Sequence, residues 1–542
     1  MLMELLEKMW LWAGIPCGAA WVFMLDAGKQ EAEEKRQFWA SISVFGGALV
    51  GAWFIASWLG KEPEVKYLAV FGASMGAGVW LGIWTLRKIP PMLERLGQGF
   101  TKKTAAERNR KTDVREIKRH LPDPEKTFVP GKYFKEDGVF IGLDEKRKPV
   151  YLEKKAYPAM PHIQVVGTTG AGKGVALAVL GSQWIKKGEA VFFLDPKDDA
   201  WAPHVFADAA RQANANHHFI NLREPAPQFN IFDGATVDEI EELFIAGFGF
   251  SDTGTAADFY SIADRKYSAI IARQIAAEGL TAAQAYQKNA EILDEHAPKL
   301  GGKLRELGEV AAANAAPGQG ASFMKIIQEG GSCYVIGHMR AEKIVRLQKM
   351  ILVRLLQISE RRDRIRGDLR PVAIILDESK YHLSRSALEA LGAARDKGVH
   401  VVLAHQSLAD LRDVGGLDGD AVVGAVVENC KVKICYQVND PITAEWLARM
   451  SGTILVDDET RSISKNVVLT EKVKGDRSIR QAERYFVDEN MMLNLPKSVC
   501  VIYGLGLAGF AQVCNISVEK RAENVKICAV KGSEIQQADE WI

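Results

Sequence analysis

The stretch Gly167-Thr168-Thr169-Gly170-Ala171-Gly172-Lys173-Gly174 lies between an apolar run, 162–166, and a helically patterned one, 175–187. Glycines let a loop wrap closely around phosphate, and the helix that follows aims backbone N–H groups and its positive end at the anion. A glycine loop by itself is a weak signal; the strand before it and the helix after it supply the required context. A second strongly apolar strand, 190–194, closes on Asp195-Pro196-Lys197. Strand, loop, helix, strand is the pattern of a parallel sheet covered by helices. The eight loop residues are therefore the candidate nucleotide-binding set, with Lys173 reaching the β- and γ-phosphates of ATP.

One position departs from the usual pattern. The residue after the lysine ordinarily carries a hydroxyl that ligates Mg²⁺. Here it is Gly174, followed by Val175 and Ala176. Nucleotide binding is thus expected more firmly than rapid turnover.

The apolar run 372–376 ends in Asp377-Glu378. A parallel strand delivers side chains from its C-terminal end to the edge where ligands of open α/β sheets bind. Asp377 is placed to hold Mg²⁺, directly or through water, and Glu378 to orient or deprotonate the attacking water. Gln406 follows the run 399–404 and suits sensing of the γ-phosphate. Arg395 stands near the start of that run, either as an arginine finger acting on a neighbouring subunit or as a surface ion pair. Lys173 and Asp377 are 204 positions apart, too many for a minimal core of this kind. The excess is explained by 236–330, where alanine-rich helical patterning replaces β-branched runs. Two helix starts there carry capping boxes, Thr236 with Glu239 and Thr281 with Gln284.

Before this body, 38–60 and 67–86 are free of charge, and each is long enough to cross a hydrocarbon core as a helix. A third uncharged stretch, 9–25, is read as a short span or an interfacial segment. Gly47 and Gly51, Gly72 and Gly76, and Gly78 and Gly82 are spaced for close helix approach. Between Arg87 and Arg119 eleven Lys or Arg face four acids, which orients the following body to the cytoplasm. The overall net charge of +1 conceals that asymmetry, and 25% charged with 47% hydrophobic residues excludes wholesale disorder. Seven cysteines form no CxxC pair, so reduced thiols are expected rather than disulfides or a zinc site. Arg340, Lys343, Arg346, Lys349 and Arg354 recur at helical spacing; a solvated face is the plain reading, a DNA-facing channel the alternative.

Taken in order, these motifs resemble the type IV secretion coupling proteins of the TraG/TraD family, which belong with the HerA/FtsK-like motors. The loop GTTGAGKG, Phe193-Leu-Asp-Pro-Lys197, Gln228-Phe-Asn-Ile-Phe232, Asp377-Glu378, Arg395 ahead of Gln406, and Asn439-Asp440-Pro-Ile-Thr-Ala-Glu-Trp446 carry the likeness. The resemblance implies a RecA-like P-loop domain with an inserted all-α subdomain, preceded by an N-terminal transmembrane helical region. The parts are a membrane region 1–90, a basic linker 91–130, the nucleotide-binding domain in two segments, 131–235 and 331–520, the insertion 236–330, and a short tail 521–542. It further implies a hexameric ring at the bacterial inner membrane that binds ATP and Mg²⁺ and passes relaxase-bound DNA or protein effectors to a type IV secretion channel. A weakly hydrolysing receptor of the same apparatus and an FtsK-type DNA translocase are the competing readings.

Overall fold

The structure, a computed structural model, describes residues 14–28, 65–98, 121–153, 160–250, 262–362, 369–465 and 471–530. They divide into two compact units, Met1–Arg110 with Leu455–Arg484, and Lys111–Ile454 with Tyr485–Ile542.

The larger unit is built on one eleven-stranded sheet. In chain order its strands are β1 (Gly138–Leu143), β2 (Pro149–Glu153), β3 (Ile163–Val166), β4 (Ala190–Asp195), β5 (His217–Asn221), β6 (Gly331–Ile336), β7 (Val372–Leu376), β8 (Val399–His405) and β9 (Val432–Cys435). After the hairpin β10 (Thr453–Lys465) and β11 (Glu471–Tyr485) come β12 (Val499–Tyr503) and β13 (Gly509–Gln512). The spatial order is β2-β1-β13-β12-β9-β3-β8-β7-β4-β6-β5, with β10 and β11 paired apart from it. From β9 to β5 every ladder is parallel.

Both faces of the parallel part are covered, which explains why its strands read as unbroken apolar runs. Within each run alternate residues still part to opposite sides. Phe192, Ile374 and Leu403 enter the core beneath the helices Val237–Phe248, Glu342–Glu360 and Arg385–Ala394. Phe193, Ile375 and Val402 enter the one beneath Lys173–Lys186 and Ala202–Gln212. Between β5 and β6 the described elements are all helical. Both capping boxes form there, with the Thr236 and Thr281 hydroxyls accepting from the Glu239 and Gln284 amides.

Two differences from the sequence-based outline stand out. Residues 521–530 do not form a free tail: Cys528 N–H donates to Phe219 O and Val530 N–H to Pro227 O, so the chain runs along the edge strand β5. Residues 531–542 lie outside the described part. The helix Val65–Gln98 continues past position 91, where the sequence places the start of the linker.

In the smaller unit the helices Gly14–Gly28 and Val65–Gln98 pack through glycines. A Cβ on Gly18 would collide with Met75 O, and one on Gly78 with Ile15 O; Gly72 and Gly76 face open space. The Gly78–Gly82 spacing is thus used within the chain, against Ile15, Ala19 and Val22. Among the described residues no helix is long and apolar enough to cross a membrane. The expected span 38–60 lies outside them, 67–86 falls within Val65–Gln98, and only part of 9–25 is described.

Candidate functional site

The glycine loop leaves β3 and enters the helix Lys173–Lys186. Gly170 and Gly172 have φ of +79° and +126°, where L-residues with side chains are strained. A Cβ on Gly172 would also come 3.0 Å from the Tyr436 ring. Thr169 and Gly170 form the exposed crest, and Ala171 to Lys173 are buried. Gly172 is the N-cap and offers no side-chain acceptor, so the first-turn amides remain open to an anion. The Lys173 ammonium folds back onto the loop, donating to Gly167 O at 2.5 Å and Thr168 O at 3.4 Å. Burial lowers its pKa, opposed by the charges of Glu378 and Asp377. The loop is braced from β9: Thr168 N–H donates to Gln437 O at 2.8 Å, and Asn439 Nδ2 to Thr168 Oγ1 at 3.3 Å. Asp440 caps the next helix, Pro441–Met450.

Register brings the other groups to this edge. Val166 of β3 lies level with His405 of β8, so the glycine loop and Gln406 emerge side by side. One strand further, β7 ends in Asp377 and Glu378, and β4 beyond it ends in Asp195. Glu378 takes φ of +45°, a left-handed conformation that costs a non-glycine residue about 1–3 kcal/mol and that clusters at functional sites. Its carboxylate accepts from Gln406 Nε2 at 3.0 Å and touches the Lys197 ammonium, whose Nζ also lies 3.5 Å from Asp377 Oδ2. Burial would raise the Glu378 pKa, but the Lys197 contact and the Gln406 hydrogen bond outweigh it, and the net shift is downward. Asp377 is pushed up by burial, with Lys197 opposing and Glu378 adding to the rise.

Lys197 is the site residue that sequence reasoning passed over, although Asp195-Pro-Lys197 closing an apolar strand was the signal. The missing hydroxyl at 174 fits the geometry: Gly174 is a regular helical position with nothing within 4 Å of an added Cβ. The cradle and the two carboxylates fit a nucleotide with Mg²⁺, apart from that one ligand.

Arg395 is not brought to this site. It is exposed in the turn Arg395–Lys397 before β8, at the strand end away from Gln406. β8 spans Val399–His405, roughly 20 Å at the usual rise. The basic series is also largely spoken for. Arg354 is buried, bonded to Glu239 at 2.9 Å and Asp233 O at 2.8 Å, and so cannot face a channel. Lys343 pairs with Glu309 at 3.2 Å, and Arg346 with Glu342 at 2.8 Å and with Glu306.

A family model described as the TraM recognition site of TraD and TraG matches residues 371–496. Mobilization protein A of Escherichia coli is 31% identical over 352 residues, 62% of this chain and 62% of that protein. The match therefore spans less than two thirds of that relative's length. The bacterial conjugative coupling protein TrwBdeltaN70, in its unbound monoclinic form, superposes with a TM-score of 0.52 at 16% identity, covering 75% of this chain and 95% of that one. Plasmid coupling protein TrwB in complex with the non-hydrolysable GTP analogue GDPNP gives 0.50 at 16% identity, with 74% and 96% covered. At such identities the likeness is one of fold. The segment that carries Asp377, Glu378 and Gln406 lies inside the region that matches the model of TraD and TraG, and the chain is similar in sequence to a mobilization protein and in fold to conjugative coupling proteins.

Proposed function

We propose that the chain is an inner-membrane coupling ATPase that recruits a DNA–relaxase complex or protein effectors and drives or gates their entry into a type IV secretion or conjugation channel. The observation that carries the reading is the uncapped, glycine-cradled start of the helix Lys173–Lys186, set at the same sheet edge as Asp377, Glu378 and Gln406. The loop amides hold the phosphates, and Lys173 exchanges the Gly167 and Thr168 carbonyls for phosphate oxygens. Mg²⁺ supplied with the nucleotide neutralises phosphate charge, and Asp377 is the carboxylate that fits it. Glu378, kept ionised by its neighbours, accepts the proton of the attacking water. Gln406 fixes the Glu378 carboxylate and from there senses the γ-phosphate. Binding of GDPNP by the structurally similar TrwB supports a nucleotide at this place.

A ring, hexameric as in the family pattern, gives Arg395 a use: exposed and remote from its own site, it acts on the site of the next copy. Anchoring rests on the uncharged stretch 38–60, which lies outside the described residues, and on the basic flank 87–119. The match of residues 371–496 to the TraM recognition site of TraD and TraG supports a TraM-like accessory protein as a partner. Gly174 favours a second reading, a receptor that binds ATP and gates the channel with little hydrolysis.

The test uses the full chain recovered from membranes in detergent. Turnover of ATP stimulated by single-stranded DNA, and abolished by Lys173→Ala, is expected of the motor. Tight ATP binding without turnover supports the receptor and overturns the motor.

A further inference from the structure

The loop after β4 is built around one side chain. The Asp195 carboxylate accepts the backbone N–H groups of Lys197, Asp198 and Asp199 at 2.8, 3.1 and 2.7 Å, and the Tyr334 hydroxyl at 2.7 Å. Arg223 clamps the loop from outside, donating to Asp198 Oδ2 at 3.1 Å and to Gly337 O at 2.7 Å. Asp198 itself is held at φ of +69°. This frame aims the Lys197 ammonium between Asp377 and Glu378, whose side chains are only 15% and 3% exposed. Two carboxylates this deeply placed repel one another, and they would repel an incoming triphosphate, unless a cation stands between them. In the common arrangement a divalent ion does that work, held partly by the hydroxyl after the loop lysine. This chain has glycine at that position and a framed lysine across the site.

We infer that Lys197 is a resident cation for the Asp377–Glu378 pair, and that it lets the site bind a nucleoside triphosphate with little dependence on divalent metal. The inference rests on the nucleotide-site reading above and names a positioning residue for it. A plain ion pair tying β4 to β7 would affect stability but not the metal dependence of binding.

The experiment titrates the full chain with a fluorescent non-hydrolysable ATP analogue, in Mg²⁺ and in EDTA. For the native chain the two affinities should agree within about fivefold. In Lys197→Met the ratio of the affinity in Mg²⁺ to that in EDTA should rise by about tenfold or more over the native ratio, as expected when a buried carboxylate loses its cation beside a phosphate. Lys197→Arg, which keeps the charge, should behave as the native chain. Adding Asp377→Asn to Lys197→Met should restore metal-free binding. An equal ratio in the native chain and in Lys197→Met overturns the inference. If Lys197→Met does not fold, judged by its melting transition, the native ratio decides: a loss of about a hundredfold in EDTA overturns the proposal. Failure of the nucleotide-site reading looks different, because the native chain and Lys173→Ala would then bind the analogue equally or not at all.

Discussion

Gly172 and Gly174 stand two positions apart and have opposite reasons for being glycine. Gly172 needs its backbone conformation, φ of +126°, and its bare Cα against Tyr436. Gly174 needs neither: its dihedrals are helical and the space around it is open. Gly174→Ser should therefore fold without strain and raise stability by a few tenths to about 1 kcal/mol through reduced chain entropy and better helix propensity. Its hydroxyl would stand where a Mg²⁺ ligand is usual, so the turnover rate should hold or rise. Thermal unfolding and steady-state rates check both parts, and a large loss of rate refutes the argument for a missing ligand. Lys173, Asp377, Glu378 and Gln406 were legible as residues because each follows or precedes an apolar run in a recognisable order. Lys197 also follows an apolar run, but nothing in its spacing from Asp377 says that β4 and β7 are neighbours. That follows from the ladder that sets Leu194 level with Leu376.

At the scale of elements, the runs 190–194, 372–376 and 399–404 were readable as strands since strands buried on both faces stay apolar throughout. β5, with the sequence His-His-Phe-Ile-Asn, was passed over: it lies at the sheet edge, where His217 is satisfied by Ser332 and Asn524 and His218 lies 3.8 Å from Cys528 Sγ, all from other segments. The hairpin β10–β11 was passed over as well, its many charged residues breaking the alternation that marks a strand. The strand ends away from the glycine loop yield a prediction about pH. Glu189, just before β4, lies 3.4 Å from His400 of β8. Burial pushes Glu189 from 4.5 up to about 8 and His400 from 6.5 down to about 3, so the folded state holds both neutral. Between pH 4.5 and 6.5 the folded protein keeps the Glu189 proton while the unfolded chain keeps the histidine's, and the two effects cancel. From pH 6.5 to 8 only the folded state still holds its proton, so stability falls as pH rises, by up to about 1.4 kcal/mol per unit. Below pH 4.5 the unfolded histidine carries a proton that the folded one lacks, and stability falls again as pH drops. Glu189→Gln should flatten the alkaline limb in a series of melting temperatures against pH; an unchanged limb refutes the assignment.

At the scale of the whole molecule, Arg395 separates what one chain does from what an assembly does. If the site is completed by a neighbour in a ring, mixing Lys173→Ala subunits with Arg395→Ala subunits should restore turnover that neither has alone. An equal random mixture should regain about a quarter of native activity, since a head-to-tail interface is intact only when an Arg395→Ala subunit is followed by a Lys173→Ala one. No recovery would leave Arg395 a surface residue. By itself the sequence determined the local chemistry: a loop whose glycines suit phosphate, carboxylates at a strand end, helices with written caps, and uncharged stretches before a basic flank. These depend on residues within a turn or a strand of one another, where spacing and side-chain type suffice. The tertiary structure decided which strand ends meet, which cation lies between Asp377 and Glu378, that Arg354 is core and that Arg395 is remote. Those follow from sheet order and from contacts between residues far apart in the chain, which no local pattern encodes.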